Sequence, residues 1–184
     1  MRTPRKDGFS ILEILNNRIK LGFLYVLLKI YLTLKGLLTT ICMIGLFAID
    51  DHFLIIEGLY KAFDSDSDEI GLVGSASNVE DALKGIPETS TDIIVLDLFI
   101  QDTNPVANFR MLSGAFPGVP IVILTMEDSL RWQIKMFKLG VMGFLNKSDS
   151  KETMKSLFIQ VANGNLVMPE KVSKALISKT IFSK

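Results

Sequence analysis

The sequence predicts an α/β domain with a doubly wound parallel sheet over residues 43–164, and two observations carry that prediction. Five short apolar segments alternate with five segments whose apolar residues recur at helical spacing. Strands that alternate with helices in this way are expected to run parallel and to be joined by right-handed crossovers. The apolar runs are also continuous, which is typical of strands that helices cover on both faces.

Each predicted strand is a short apolar run, and the five runs are residues 44–49, 70–74, 92–97, 120–125 and 141–146. Each predicted helix has apolar residues three or four positions apart, and the five segments are residues 53–63, 79–83, 106–115, 129–139 and 151–162. Asn78 is a suitable N-cap for the second helix, and Gly140 is a suitable stop for the fourth. Pro117 and Gly118 mark a turn before the fourth strand.

Polar residues stand at the carboxyl ends of four of these strands. Asp50 and Asp51 follow the first, Asp97 ends the third, Thr125 ends the fourth and Lys147 follows the fifth. In a doubly wound sheet, functional residues gather at this edge. Three clustered carboxylates repel one another unless a cation joins them, and Mg²⁺ is the natural candidate. The pocket is therefore expected to hold a phosphoryl group that Asp97 attacks as nucleophile, with Lys147 and Thr125 binding its oxygens.

Four motifs, AIDDH, VLDL, ILT and GFLNK, contain these residues. Together they resemble the acidic pair, phosphoryl acceptor, switch hydroxyl and lysine-bearing strand of bacterial response-regulator receiver domains, over Met43–Gly164. The resemblance implies a flavodoxin-like fold with strand order 2-1-3-4-5. It also implies that Asp97 accepts a phosphoryl group from a sensor histidine kinase or a phosphotransfer protein.

The same resemblance implies a Mg²⁺ cofactor and a conformational switch. The groups expected to hold the metal are the side chains of Asp50, Asp51 and Asp97 and the main-chain carbonyl of Phe99. Thr125 and Phe144 match the switch hydroxyl and the switch aromatic residue of the family. The chain is accordingly expected to be a signalling domain rather than an enzyme, with at most autophosphatase activity.

The loop after Asp97 departs from the family pattern. Receivers usually carry Met-Pro three and four residues after the acceptor and Gly eight residues after it, whereas the residues at these positions here are Ile100, Gln101 and Pro105. We therefore expect a loop of different shape. Phe99 and Met126 are bulky where many receivers have smaller or polar residues, and we expect them to screen the acyl phosphate from water.

The chain has one histidine and one cysteine, His52 and Cys42, which excludes histidine-rich metal sites and a disulfide framework. His52 follows the acidic pair directly, and we interpret it as the residue that opens the first helix, with metal ligation as the alternative. The lone cysteine fits a reducing, cytoplasmic location.

Residues 1–42 differ from the remainder of the chain. They carry seven Lys and Arg residues against Asp7 and Glu13, a net charge of +5, which leaves −5 for the rest. Their longest apolar run, 21–34, is interrupted by Lys29, and a spanning helix needs about 20 largely uncharged residues. Three interpretations of this apolar, helical extension stay open. They are an upstream extension from a mis-assigned start, a poorly ordered segment, and a segment that associates with the inner membrane through residues 9–42.

Residues 165–184 are expected to form a C-terminal helix or a truncated linker. The segment NGNLVMPEKVSKAL resembles the end of receivers in the class that carries a LuxR-type helix-turn-helix output domain. No basic recognition helix is predicted here, and an acidic body is a poor surface for phosphate. This chain alone is therefore expected not to bind nucleic acid.

Three functions are compatible with these features. The first is a phospho-accepting receiver of a two-component phosphorelay that signals by protein–protein contact, with homodimerisation through the first and last helices as one such contact. The second is a transcriptional response regulator without its DNA-binding half. The third is a degenerate receiver that serves as an unphosphorylated interaction scaffold, which the altered loop after Asp97 favours.

Overall fold

The computed structural model describes residues 43–63, 69–101 and 103–181, so the expectations for residues 1–42 lie outside the described part. The strands are β1 (Ile44–Ile49), β2 (Ile70–Ala76), β3 (Ile93–Asp97), β4 (Ile121–Thr125) and β5 (Gly143–Asn146). The helices are α1 (Phe53–Ala62), α2 (Val79–Gly85), α3 (Pro105–Ala115), α4 (Leu130–Leu139), α5 (Lys151–Ala162) and α6 (Glu170–Ile181). No helix in these three ranges is both long and apolar enough to cross a membrane.

The five strands form one parallel sheet in the order β2-β1-β3-β4-β5. This order confirms the predicted flavodoxin-like fold class. The predicted and observed boundaries agree within two residues, and one of the differences is at β5, which begins at Gly143 rather than at residue 141. The reason is that the main-chain N–H of Val141 donates to the Met136 carbonyl at 3.2 Å, so Val141 still belongs to the turn that closes α4. Gly140 ends that helix in the left-handed conformation, with φ +109°.

Successive side chains of each strand point to opposite faces of the sheet, and each face is covered by helices. Phe47 and Ile49 of β1 pack on the side of α2, α3 and α4, whereas Leu46 and Ala48 pack on the side of α1 and α5. Every residue of β3 and β4 is buried. The unbroken apolar runs in the sequence are therefore explained by burial on both faces.

The segment after α5 returns to the sheet before α6 begins. Val167 pairs with Gly143 in an isolated parallel bridge, and its N–H donates to the Met142 carbonyl at 2.9 Å. Helix α6 then lies against α4, and its Val172 is fully buried. The last helix is thus attached to the domain at two places.

Gly45 is the glycine of β1 that has no room for a side chain, and we predict that Gly45→Ala destabilises the fold. A Cβ there would collide with the Ser90 carbonyl oxygen and lie 2.9 Å from Val73 Cγ1. Overpacking of this kind costs roughly 1–3 kcal/mol in the free energy of unfolding. The control is Gly58→Ala in α1, where a Cβ meets nothing within 4 Å. The free energy of unfolding of Gly58→Ala should rise by about 0.5–1 kcal/mol, because alanine is a better helix former than glycine. Urea denaturation measures both, and equal effects would contradict the packing described for β1.

Candidate functional site

The carboxyl ends of β1 and β3 bring an acidic cluster to one edge of the sheet. Asp50 and Asp51 follow the last residue of β1, and Asp97 is the last residue of β3, which lies beside β1. One ligand atom from each of these carboxylates and one from His52 lie within 4.8 Å of one another. The order of the parallel strands therefore makes neighbours of residues that are about 47 positions apart in the chain.

Lys147 places a buried ammonium inside this cluster. Its Nζ lies 2.7 Å from Asp50 Oδ2 and 2.9 Å from Asp97 Oδ2, and all three side chains are at most 5% exposed. The backbone of Lys147 is fixed at the end of β5, because its N–H donates to the Thr125 carbonyl at 3.0 Å. With the more exposed Asp51 included, three carboxylates face one ammonium. The excess negative charge and the oxygen ligands suit a divalent cation such as Mg²⁺.

Burial dominates the electrostatics of Asp97. Desolvation raises the pKa of this carboxyl above its usual 3.8, and the negative charge of Asp50 acts in the same direction. The hydrogen bond from Lys147 and its positive charge act against the rise in pKa. The ionised form of Asp97 is thus disfavoured by its surroundings and depends on nearby positive charge.

Thr125 and Phe144 stand on the two strands beyond β3. Thr125 is buried, and its Oγ1 accepts a hydrogen bond from the Glu127 N–H at 3.1 Å. Phe144 is half-buried, with its ring centroid 6.0 Å from that of Phe137 on α4. Both residues lie at the same end of the sheet as the carboxylates, since Thr125 pairs in register with Asn146 of β5.

Phe99 lies two residues after Asp97 and connects the carboxylate to α4. Its N–H donates to Asp97 Oδ1 at 3.5 Å, and its ring meets that of Trp132 edge-to-face, with centroids 5.5 Å apart. The ring of Phe99 is 40% exposed, whereas the side chain of Met126 is 69% exposed. Of the two bulky residues predicted to screen the site, Phe99 is therefore the one that is packed beside it.

The altered loop after Asp97 is held by contacts of its own. Gln101 has φ +45°, a left-handed conformation that no other non-glycine residue takes in the described ranges. Its N–H donates to Asp51 Oδ2 at 3.2 Å, and its side-chain amide donates to the Ser77 carbonyl at 3.4 Å. A proline, which receivers usually carry here, could neither donate this bond nor adopt this φ. Sequence reasoning missed this contact because nothing in the local pattern marks residue 101 as left-handed.

His52 takes part in the cluster through its side chain. It occupies the N-cap position of α1, as expected, but its ring makes no capping hydrogen bond. Instead, Nδ1 lies 3.1 Å from Asp50 Oδ1 and 3.0 Å from Asp51 Oδ1, while the ring remains 65% exposed. The imidazole thus closes the solvent side of the acidic cluster.

The family follows from this geometry together with a sequence match. The profile of the response regulator receiver domain matches residues 46–158, which include every site residue described above. This chain belongs to the response-regulator receiver domain family. The predicted resemblance is thereby confirmed, and the domain is a receiver domain of the kind found in two-component response regulators.

Relatives of known sequence support the same assignment. The transcriptional regulatory protein YdfI of Bacillus subtilis is 28% identical over 128 residues, covering 70% of this chain and 59% of that protein. The transcriptional activator DevR/DosR of Mycobacterium tuberculosis is 26% identical over 137 residues, covering 74% of this chain and 63% of that protein. The chain therefore spans about three fifths of the length of these curated relatives.

Solved structures share the fold. A LuxR-family response regulator from Aurantimonas sp. superposes with a TM-score of 0.64 at 20% identity, covering 76% of this chain and 99% of that one. The isolated receiver domain of RcsB from Salmonella enterica, in its apo form, gives a TM-score of 0.64 at 19% identity, covering 73% of this chain and 98% of that one. At these identities the likeness shows the architecture alone.

Proposed function

We propose that this receiver accepts a phosphoryl group on Asp97 from a sensor histidine kinase or a phosphotransfer protein. The observation that carries the proposal is the buried ammonium of Lys147, which lies within 3 Å of both Asp50 and Asp97. A lysine placed between two carboxylates, with a third beside them, is suited to binding an incoming phosphoryl oxygen.

Asp97 acts as the nucleophile. Its Oδ2 is paired with Lys147, so Oδ1, which accepts the longer bond from the Phe99 N–H, is the oxygen that we assign to the attack. A bond forms between Oδ1 and phosphorus while the bond between phosphorus and the histidine nitrogen of the donor breaks. The ammonium of Lys147 and the hydroxyl of Thr125 then bind phosphoryl oxygens, which stabilises the charge of the transferred group.

Asp50, Asp51, Asp97 and the main-chain carbonyl of Phe99 are the groups that we propose to hold Mg²⁺. The bound cation would neutralise the repulsion between the carboxylates and the dianionic phosphoryl group. The donor set fits this metal, because it consists of hard oxygen ligands with an excess of negative charge. Gln101 orients one of these ligands through its bond to Asp51 Oδ2.

The proposed output is a change of surface rather than turnover of a substrate. Thr125 and Phe144 are the residues that we propose to move when Asp97 is phosphorylated, and partners would read the change by protein–protein contact. The phosphoryl group biases an equilibrium between two conformations of the domain. We also propose a cytoplasmic location, which the single cysteine of the chain supports.

Incubation with acetyl phosphate and Mg²⁺ tests the proposal through the intact mass of the protein. The wild type should gain one phosphoryl group, and Asp97→Ala should gain none, because it lacks the attacking oxygen. Omission of Mg²⁺ with a chelator present should abolish the gain in the wild type. Circular dichroism controls for folding. A folded wild type that stays unmodified would contradict the proposal and favour the unphosphorylated scaffold.

We predict that Phe99→Asn shortens the lifetime of the phosphoryl group on Asp97. The ring of Phe99 packs on Trp132 beside the carboxylate, and a shorter polar side chain would admit water to the acyl phosphate. We expect a decrease of about threefold in half-life, which corresponds to roughly 0.7 kcal/mol in activation free energy. Loss of the phosphorylated mass with time measures it. Met111→Asn on α3, where the native side chain is 45% exposed, is the control and should leave the half-life unchanged. Equal half-lives in wild type and Phe99→Asn would contradict the screening role.

A second candidate function is the receiver part of a transcriptional response regulator. Both curated relatives described above are named as transcriptional regulators, and the chain spans 59% and 63% of their lengths. Translation of the reading frame downstream of residue 184 would test this candidate. A helix-turn-helix encoded there, with DNA binding by the longer product, would establish it, and an immediate stop codon would exclude it.

A further inference from the structure

The helix α6 is packed against the part of the domain that follows the switch hydroxyl. Val172 of α6 is fully buried, and the segment before it is joined to β5 by the bond from the Val167 N–H to the Met142 carbonyl. The helix faces α4, the helix that begins directly after the loop carrying Thr125 into residues 126–129. A role for α6 in regulating the site at Asp97 rests on the proposed function of that site.

An ion pair joins α6 to this loop. Lys171 Nζ lies 2.7 Å from Asp128 Oδ1, and the same oxygen accepts a bond from Gln133 Nε2 at 3.0 Å. The hydrogen bond and the positive charge of Lys171 lower the pKa of the Asp128 carboxyl, which favours its ionised form. Asp128 thus connects α6, α4 and the loop after β4 at a single atom.

Two further hydrogen bonds connect the loop to the switch hydroxyl. Thr125 Oγ1 accepts from the Glu127 N–H at 3.1 Å, and Glu127 Oε1 accepts from the Ser129 N–H at 2.8 Å. When the Thr125 hydroxyl turns toward a phosphoryl group on Asp97, the bond from Glu127 is lost. The loop must then rearrange, and Asp128 moves with it.

The other switch residue also lies beside the start of α6. Phe144 lines two neighbouring cavities, and Pro169, the residue before α6, lines both of them as well. One of these cavities is further lined by Asp128, Gln133 and Lys171. A rotation of the Phe144 ring would therefore change the surface on which α6 begins.

We propose that α6 is a latch that is docked on α4 while Asp97 is unphosphorylated and is released when Thr125 and Phe144 move. Release would free the C-terminal segment for a partner or for chain that follows it. Coupling between two sites is reciprocal, so weakening the latch also favours the phosphorylated conformation.

Hydrogen exchange measured by mass spectrometry on the 184-residue chain tests the release. Acetyl phosphate and Mg²⁺ are added, and the intact mass of the same sample reports phosphorylation. We expect amide exchange in residues 170–181 to rise by about fivefold or more in the phosphorylated wild type. Thr125→Ala, which lacks the hydroxyl that accepts from the Glu127 N–H, should show the raised exchange in α6 already before phosphorylation, with little further rise after it. Phosphorylated wild type with unchanged exchange in α6 would overturn the latch and leave the receiver function standing.

A second arm needs no phosphoryl group. In the resting chain, Lys171→Ala should raise exchange in residues 126–133 about twofold to fivefold, the size expected for an exposed ion pair. The matched control is Lys174→Ala, whose ammonium pairs within α6 with Glu170 at 2.6 Å. Equal exchange in the two variants would overturn the coupling between α6 and the loop. If the wild type gains no phosphoryl mass in the first experiment, both the proposed function and the release of α6 are contradicted. The comparison of Lys171→Ala with Lys174→Ala still decides whether α6 is coupled to the loop after β4.

Discussion

The structure depends on one ammonium that two buried carboxylates share. Lys147 at the end of β5 reaches Asp50 after β1 and Asp97 at the end of β3, so it joins strands that are not neighbours in the sheet. Two ionised carboxyls that are buried side by side repel each other and lower the stability of the fold. Removal of the Lys147 ammonium would leave both buried negative charges without a positive partner. The same arrangement leaves negative charge in excess, which suits a divalent metal such as the proposed Mg²⁺.

The topology of the sheet places Asp50, Asp97 and Lys147 close together. Parallel strands covered on both faces bring all their carboxyl ends to one edge, and the order 2-1-3-4-5 sets β1 beside β3 at its centre. Phe99 and Gln101 then bind the loop after β3 to α4 and to Asp51. Thr125 extends the network through the loop to Asp128 and α6. The proposed acceptor, the proposed metal ligands and the C-terminal helix are therefore parts of one connected set of contacts.

The sequence predicts the features that leave a local pattern of apolar and polar residues. It does not predict the contacts that depend on packing between distant parts of the chain. The strands and the residues at their ends followed from apolar runs, because burial on two faces leaves a direct trace in composition. The left-handed turn at Gln101 and the ion pair of Lys171 with Asp128 left no such trace, since each depends on where a distant backbone or side chain lies. The apolar side chain of Val141 predicts a strand residue, whereas its N–H completes the end of α4.

The central claim is that Asp97 completes a buried carboxylate cluster that needs a cation. Thermal unfolding of the wild type and of Asp97→Asn, with and without Mg²⁺, tests this claim most directly. Without metal at neutral pH, Asp97→Asn should melt higher, because burial raises the pKa of Asp97 and so penalises its ionised form. Mg²⁺ should then raise the melting temperature of the wild type more than that of the variant. A variant that melts lower than the wild type without metal, with both proteins shifted equally by Mg²⁺, would contradict the account.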